Sequence, residues 1–364
     1  MIEKLVRKNI LQFQPYIPGK PINEVKRELG LKDVIKLASN ENPLGPSPKA
    51  LLAVKKGLKD IFLYPEGSGI LLKQKIAKMA NLRPSNVILG NGSDELIEII
   101  GKTFVNPEDD IVVAEGAFIR YKMAGELMAG RVISVPMRDY THDLQAMKKA
   151  ITPATKAVFI ANPNNPTGTY VTKKEVEEFF SGLREDVIVV FDEAYYEYVT
   201  QANYPQTVPY LKKGRNIIIL RTFSKIYALA GLRVGYGLAN EEIISYMERV
   251  RPPFNVNSLA QLAAEASLDD AAQVKRSLKL VQEQKKYLYR ELERLEITYI
   301  PSAANFILIC LKNDAGAASR KLLEAGVIVR PMGEYNLSTC LRVTIGLPAE
   351  NKRFITTLEK IYKS

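Results

Sequence analysis

The sequence predicts an α/β protein whose larger domain is a mainly parallel sheet sandwiched by helices, with a smaller α+β domain beside it. Two observations carry that expectation. Seven short apolar runs rich in β-branched residues, at 87–89, 111–114, 132–135, 157–161, 187–191, 217–221 and 234–238, alternate with helical stretches, the order that builds parallel strands through crossover helices. After Asn257 the pattern changes to a long helical region over 258–295, then to strand-like runs at 297–300, 305–311, 327–330 and 341–345 with helices between. Pro252-Pro253 marks a stiff junction near the change. The segment before residue 39 or so is expected to pack with the smaller unit, giving an arm with part of the small domain at 1–39, a large domain at 40–257 and a small domain at 258–364.

Composition narrows the function classes. The 364 residues, 46% of them apolar, suffice for a large core. The chain has no apolar run of membrane-spanning length and Met1-Ile-Glu-Lys opens no signal-peptide stretch, so a soluble, cytoplasmic protein with no membrane partner is expected. The 51 basic residues against 40 acidic give a formal charge of +11. The lysines fall in scattered pairs such as Lys55-Lys56, Lys148-Lys149 and Lys212-Lys213 on predicted helix faces, with no basic stripe interleaved with aromatics. A solvated surface is therefore expected, and no nucleic-acid partner. Cys310 and Cys340 stand in apolar, strand-like surroundings without Cys-x-x-Cys spacing and are expected as reduced buried thiols. His142, the only histidine, rules out a multi-histidine centre; no metal is expected, and His142 itself reads as structural.

The most informative stretch is Arg221-Thr-Phe-Ser-Lys225-Ile-Tyr-Ala-Leu-Ala-Gly-Leu-Arg233. An amine, two hydroxyls and a second cation surround one glycine-containing bend, a grouping suited to an aldehyde that carries a phosphate: Lys225 for the carbonyl, Thr222, Ser224 and Arg233 for the phosphate. Alone it is only suggestive, because a solvated lysine explains Ser-Lys equally well. Its context is stronger. The run 186–191 delivers Asp192 at its end and Tyr195 three residues on, where an open α/β sheet displays its functional groups. The competing role for Asp192 is to cap the next element. Ala161-Asn-Pro163-Asn164-Asn165-Pro166-Thr-Gly168 is a stiff loop presenting Asn165, and Thr172-Lys-Lys-Glu175 is a capping box starting the helix beyond it. Finally, Gly90-Asn-Gly92-Ser93-Asp94-Glu95 opens a helical pattern whose first amides can face an anion, provided the two carboxylates turn away. It has neither the Walker nor the dinucleotide glycine spacing.

These segments occur in order with Gln14-Pro-Tyr16-Ile-Pro-Gly-Lys-Pro, Leu37-Ala-Ser-Asn40-Glu41-Asn42-Pro-Leu-Gly45, Tyr64-Pro-Glu-Gly67-Ser-Gly69, Arg251-Pro-Pro-Phe254-Asn255-Val-Asn257 and Cys340-Leu-Arg342-Val-Thr-Ile-Gly346. Over nearly its whole length the chain resembles the fold-type-I pyridoxal-phosphate-dependent aminotransferases of classes I and II, and among them the histidinol-phosphate branch. The resemblance implies pyridoxal 5′-phosphate as cofactor, with Lys225 bonded to it, Asp192 under the pyridine nitrogen, and Asn165 and Tyr195 on the ring hydroxyl. It places Ser93, Asp94, Thr222, Ser224 and Arg233 at the phosphate, joined by Tyr64 from the neighbouring subunit of a homodimer with shared sites. Phe118 matches the aromatic stacked on the ring, a role open also to Tyr121. Arg342 matches the residue for the substrate α-carboxylate, while Tyr16 and Arg330 match positions near the substrate's distal end. Arg330 has an alternative, an ion pair with Glu334 at the surface.

The implied reaction is amino transfer between a small amine and a 2-oxo acid: histidinol phosphate and 2-oxoglutarate giving imidazole-acetol phosphate and glutamate, a step of histidine biosynthesis. An aromatic or broad-specificity aminotransferase is the first alternative, and a phosphothreonine-type decarboxylase the second. A cofactor-sensing regulator would need a DNA-binding segment that the residues before Asn40 are too few to supply.

Overall fold

The computed structural model describes residues 2–13 and 19–363. Thirteen strands follow in chain order: β1 Ile35–Lys36, β2 Val87–Gly90, β3 Asp110–Ala114, β4 Arg131–Val135, β5 Thr155–Ala161, β6 Ile188–Asp192, β7 Ile217–Thr222, β8 Gly235–Leu238, β9 Thr298–Ile300, β10 Phe306–Cys310, β11 Val327–Ile328, β12 Arg330–Met332 and β13 Leu337–Thr344. Seven of them form the main sheet in the order β2-β8-β7-β6-β5-β3-β4. Contacts from β7 to β4 are all parallel, while β8 runs antiparallel to both its neighbours. The short turn from Thr222 to Gly235 is the reason, because it returns the chain along the strand it has just left.

Every residue of β2, β3, β6, β7 and β8 is buried, whereas the edge strand β4 is exposed or half-buried except at Val135. Helices therefore cover both faces, which explains why these strands read as continuous apolar runs instead of alternating ones. The expected capping box is present: the Glu175 amide donates to Thr172 Oγ1 at 3.3 Å and the Thr172 amide to Glu175 Oε2 at 2.7 Å. It starts the helix Lys173–Phe180 that buries Val176, Phe179 and Phe180.

A second, antiparallel sheet has the order β12-β13-β10-β9, and β1 pairs in parallel with β11. Residues 35–36 thus join the C-terminal part of the chain, while the beginning of the arm lies elsewhere. Arg7 donates to the Leu127 carbonyl at 2.8 Å, and Asn9 to those of Glu126 and Leu127, so the arm satisfies the end of the helix Ile119–Leu127.

Two expectations need correction. The helical region 258–295 is two helices, Ser258–Leu268 and Ala271–Arg294, because Asp270 caps the second by accepting from the Gln273 amide. Cys310 and Cys340 are joined in a disulfide, not held as free thiols. They are directly opposed in the β10–β13 register, a relation that spacing along the chain does not reveal. His142 is buried, with Nε2 3.2 Å from Asn164 Oδ1, and burial depresses its pKa to about 4. A neutral imidazole bracing the Asn-Pro loop agrees with its structural reading.

Candidate active site

The carboxyl ends of β5, β6 and β7 open into a cavity of about 310 Å³, closed from the far side by β12, β13 and the segment 38–41. Lys225, Asp192, Tyr195, Asn165, Ser93, Asp94, Phe118, Thr222, Ser224, Arg233, Arg330 and Arg342 all line it. Tyr64 does not. It is 82% exposed and stacks on Phe254 with ring centroids 4.8 Å apart, on a surface that also displays Ile61, Phe62, Leu63 and Leu71. Tyr16 lies outside the described residues.

Lys225 Nζ donates to the Ser39 carbonyl at 3.2 Å. Burial, and then the nearby Arg342 charge, lower its pKa to about 8, so near neutral pH the amine has an appreciable unprotonated fraction. Asp192, at the last position of β6, takes the opposite shift. Burial raises it to about 6, against hydrogen bonds to Oδ2 from the Tyr121 hydroxyl at 2.7 Å and to Oδ1 from the Ala194 amide at 3.1 Å. Tyr121 lines the cavity as well, its ring stacked on Phe159 and its hydroxyl on Asp192. Phe118 meets Tyr121 edge-on and keeps its place on the cavity wall.

The anion end is built from backbone as much as from side chains. Helix Ser93–Phe104 begins against β8, where a Cβ on Gly235 would stand 2.4 Å from the Ser93 nitrogen. A Cβ on Gly92 would come 2.5 Å from Arg233 Nη2. Two glycines thus allow the helix start and the guanidinium to share one corner, leaving first-turn amides facing outward beside a cation. The carboxylates that threatened this corner are turned aside. Asp94 accepts from Arg120 Nε at 2.8 Å, and Glu95 accepts from the Asn91 amide and from Asn255, both at 2.6 Å.

Arg342 and Arg330 are opposed in the β12–β13 register, so two guanidiniums enter the cavity from adjacent strands. Arg342 donates to Asn165 Oδ1 at 2.5 Å and to the Ala38 carbonyl at 2.7 Å. Because that contact uses the amide oxygen, Asn165 Nδ2 is left as the group available for a ligand. Arg330 forms a bidentate ion pair with Glu334, Nη2 lying 2.8 and 2.9 Å from the two carboxylate oxygens. The ion pair foreseen as an alternative does form, yet both partners line the cavity.

Several contributors carried no local signal. Asn40, in a left-handed conformation, donates to the Tyr195 hydroxyl at 2.9 Å and exchanges hydrogen bonds with Thr344. Glu193 and Arg221 form a buried ion pair at 2.8 Å across the ends of β6 and β7, completed by Thr207 on Glu193 and by Tyr196 under the guanidinium. Only the turn-rich string Ser39-Asn40-Glu41-Asn42-Pro hinted that the first segment does more than connect.

A buried amine and a buried carboxylate at the strand ends of a mainly parallel sheet, faced by two arginines from the second sheet, are equipped for chemistry on amines that carry anionic groups. The chain belongs to the family described as aminotransferase class I and II, which matches residues 32–358. It is 51% identical over 98% of its length to the histidinol-phosphate aminotransferase of Moorella thermoacetica, 92% of which is covered. Identity is 45% to the histidinol-phosphate aminotransferase of Caldicellulosiruptor saccharolyticus, over 98% of this chain and 100% of that one. Among solved structures, the histidinol-phosphate aminotransferase of Sinorhizobium meliloti in complex with pyridoxal-5′-phosphate superposes with a TM-score of 0.90 at 27% identity, covering 98% of this chain and 97% of that one. The fold is that of the fold-type-I transferases. Among the described residues no helix is long and apolar enough to cross a membrane, and no three His, Cys, Asp or Glu side chains cluster as metal ligands.

Proposed function

We propose that the chain catalyses the pyridoxal-phosphate-dependent transfer of an amino group from L-histidinol phosphate to 2-oxoglutarate, giving imidazole-acetol phosphate and L-glutamate. The observation that carries this reading is the pair of arginines in register beside Lys225, since one substrate bears a phosphate dianion and the other two carboxylates. Two adjacent guanidiniums suit both.

The residues present fit the cofactor. Ser93, Thr222, Ser224 and Arg233 would hold its phosphate at the glycine-shaped corner, with Asp94 oriented by Arg120 alongside. Asp192 would face the ring nitrogen, Asn165 Nδ2 and the Tyr195 hydroxyl the ring oxygen, and Phe118 the ring itself. When bound, pyridoxal phosphate supplies an aldehyde for the amino group and a protonated ring that withdraws electrons from the carbon bearing it. Lys225 would hold the cofactor through its amine, and the same amine, placed beside the substrate, would take the proton from the substrate Cα. Asp192 keeps a proton on the ring nitrogen. Arg342 orients glutamate through its α-carboxylate, and Arg330, with Tyr16, takes the phosphate of histidinol phosphate. The division into an arm with part of the small domain at 1–39, a large domain at 40–257 and a small one at 258–364 is part of this proposal, with the cavity at the junction of the last two.

Replacing Arg330 with alanine is expected to lower kcat/KM for histidinol phosphate by roughly tenfold or more, the scale of a lost charge-assisted contact of about 1.5–3 kcal/mol. Phenylalanine turnover should fall much less. Equal losses would assign Arg330 a structural role, and faster wild-type turnover of phenylalanine than of histidinol phosphate would move the protein to the aromatic class. Release of carbon dioxide without consumption of a 2-oxo acid would indicate a decarboxylase.

The same proposal includes a homodimer in which Tyr64 serves the neighbouring subunit. The many exposed apolar side chains between Leu51 and Leu71, among them Ile61, Phe62, Leu63 and Leu71, support a second copy as their cover. A Tyr64→Phe subunit keeps the ring that stacks on Phe254 and loses only the hydroxyl. Mixed with Lys225→Ala subunits, it should regain activity, because one site of each hybrid escapes both lesions. No recovery after confirmed subunit exchange would exclude sharing. A cytoplasmic location is also proposed, since glutamate and 2-oxoglutarate are intracellular metabolites. In that reducing setting the Cys310–Cys340 pair would tend to open, leaving the β10–β13 ladder to hold the strands.

A further inference from the structure

The bidentate contact between Glu334, on the short turn that links β12 to β13, and Arg330, at the start of β12, borders the cavity. An ion pair serving only the fold would be expected to face away from the substrate's space. Here the two side chains are 13% and 33% exposed, and both border the volume that contains Lys225. A carboxylate on a guanidinium fork has the shape and charge of the anion the fork is meant to bind. We propose that Glu334 is a displaceable counter-ion of Arg330 that sets substrate specificity: it occupies the guanidinium until a substrate phosphate replaces it, and stays in place when the substrate carries no such anion. This inference rests on the assignment of Arg330 to the phosphate.

Two consequences of opposite sign follow. For a phosphate-bearing substrate, Glu334 is a competitor with an effective concentration set by its position four residues along the same turn. Binding then requires the carboxylate to move away, and electrostatic repulsion from it opposes a dianion. For an uncharged aromatic side chain the same carboxylate is an aid. It offsets the Arg330 charge, so a substrate that brings no phosphate can occupy the cavity without an uncompensated excess of positive charge beside it. Glu334 therefore narrows the difference between the two kinds of amine, and removing its charge should widen it.

The test uses the holoenzyme with Glu334→Gln, which keeps the size and one acceptor oxygen of the side chain, and Glu334→Ala as a second variant. Inorganic phosphate, as a competitive inhibitor, reports on the anion site without the rest of the substrate. Both variants should bind it more tightly by about threefold to tenfold, the range for relief of one competing, partly exposed charge. KM for histidinol phosphate should fall with kcat little changed. Phenylalanine kcat/KM should fall, so that the ratio of the two amines widens at least about tenfold. Unchanged or weaker phosphate inhibition in both variants, or a parallel loss for both amines together with a lower melting temperature, would overturn the proposal and make Glu334 a prop for its turn. An Arg330→Ala arm separates this from the underlying assignment. If Arg330→Ala leaves phosphate inhibition as in the wild type, the assignment of Arg330 is wrong whatever Glu334 does. If it abolishes that inhibition, the Glu334 result stands on its own.

Discussion

Replacement of Lys225 by alanine is expected to abolish turnover and leave a protein that folds and still binds pyridoxal phosphate non-covalently. Removal of a positioned proton-transfer group alone costs about 10²–10⁴-fold, and in the proposed mechanism the same side chain also anchors the cofactor. The corner proposed for the phosphate, with Ser93, Thr222, Ser224 and Arg233, does not depend on Lys225, so affinity should survive in part. Borohydride reduction of the wild-type holoenzyme followed by peptide mapping should place the pyridoxyl group on the peptide containing Lys225; another lysine would refute the assignment. The depressed pKa gives a second readout. Burial first and Arg342 second bring Lys225 to about 8 from 10.5, and only the unprotonated amine attacks an aldehyde. Capture of pyridoxal phosphate by cofactor-free protein should therefore rise with pH and level off above about 8. In Arg342→Gln, where one lowering charge is gone, the same curve should shift to higher pH.

How much of this was legible in the sequence depends on the range of the interaction that creates each feature. The seven main-sheet strands lie within two residues of their expected positions, because a strand buried on both faces must be apolar throughout and the signal sits in adjacent residues. The capping box at Thr172 is local in the same way. The order of the sheet and the reversal of β8 are not, since they depend on which edge the chain returns to. Within the cavity, the groups on recognisable loops, Lys225, Asp192, Asn165 and Arg233, could be singled out from charge and turn chemistry. The contacts that orient them could not. Tyr121 on Asp192 spans 71 positions, Arg342 on Asn165 spans 177, and Asn40 on Tyr195 spans 155. Each is fixed only once two distant segments are brought together by the fold. The Cys310–Cys340 bond belongs with these: both residues read as buried, but their opposition across β10 and β13 is a matter of register.

Exchange of Asp192 for asparagine should lower kcat by about 10²–10³-fold or more, the scale found when one pre-aligned charge-stabilising group is lost from an active site. Shape is kept: with the asparagine oxygen accepting from the Ala194 amide, its Nδ2 faces the Tyr121 hydroxyl, which can turn to accept, so the main loss is the charge. The direction of the shift at Asp192 adds a pH signature. Burial raises the carboxyl to about 6 from 3.8 in the cofactor-free protein, against the two hydrogen bonds that favour its ionised form. A group whose folded pKa is raised in this way binds more protons folded than unfolded between those two values, so its contribution to stability declines as pH rises through that window. Cofactor binding has the opposite dependence. A ring nitrogen that carries a proton is held best by the ionised carboxylate, which dominates above about 6, so affinity for pyridoxal phosphate should weaken as pH falls through that value. Asp192→Asn has no charge to lose and should show no such limb. Titrating cofactor-free wild type and variant with pyridoxal phosphate between pH 5 and pH 8 (roughly one unit below to two above the shifted value) measures it directly. A limb that persists in the variant would trace the dependence to another group, and an unchanged kcat would leave Asp192 as no more than the cap of the turn that follows β6.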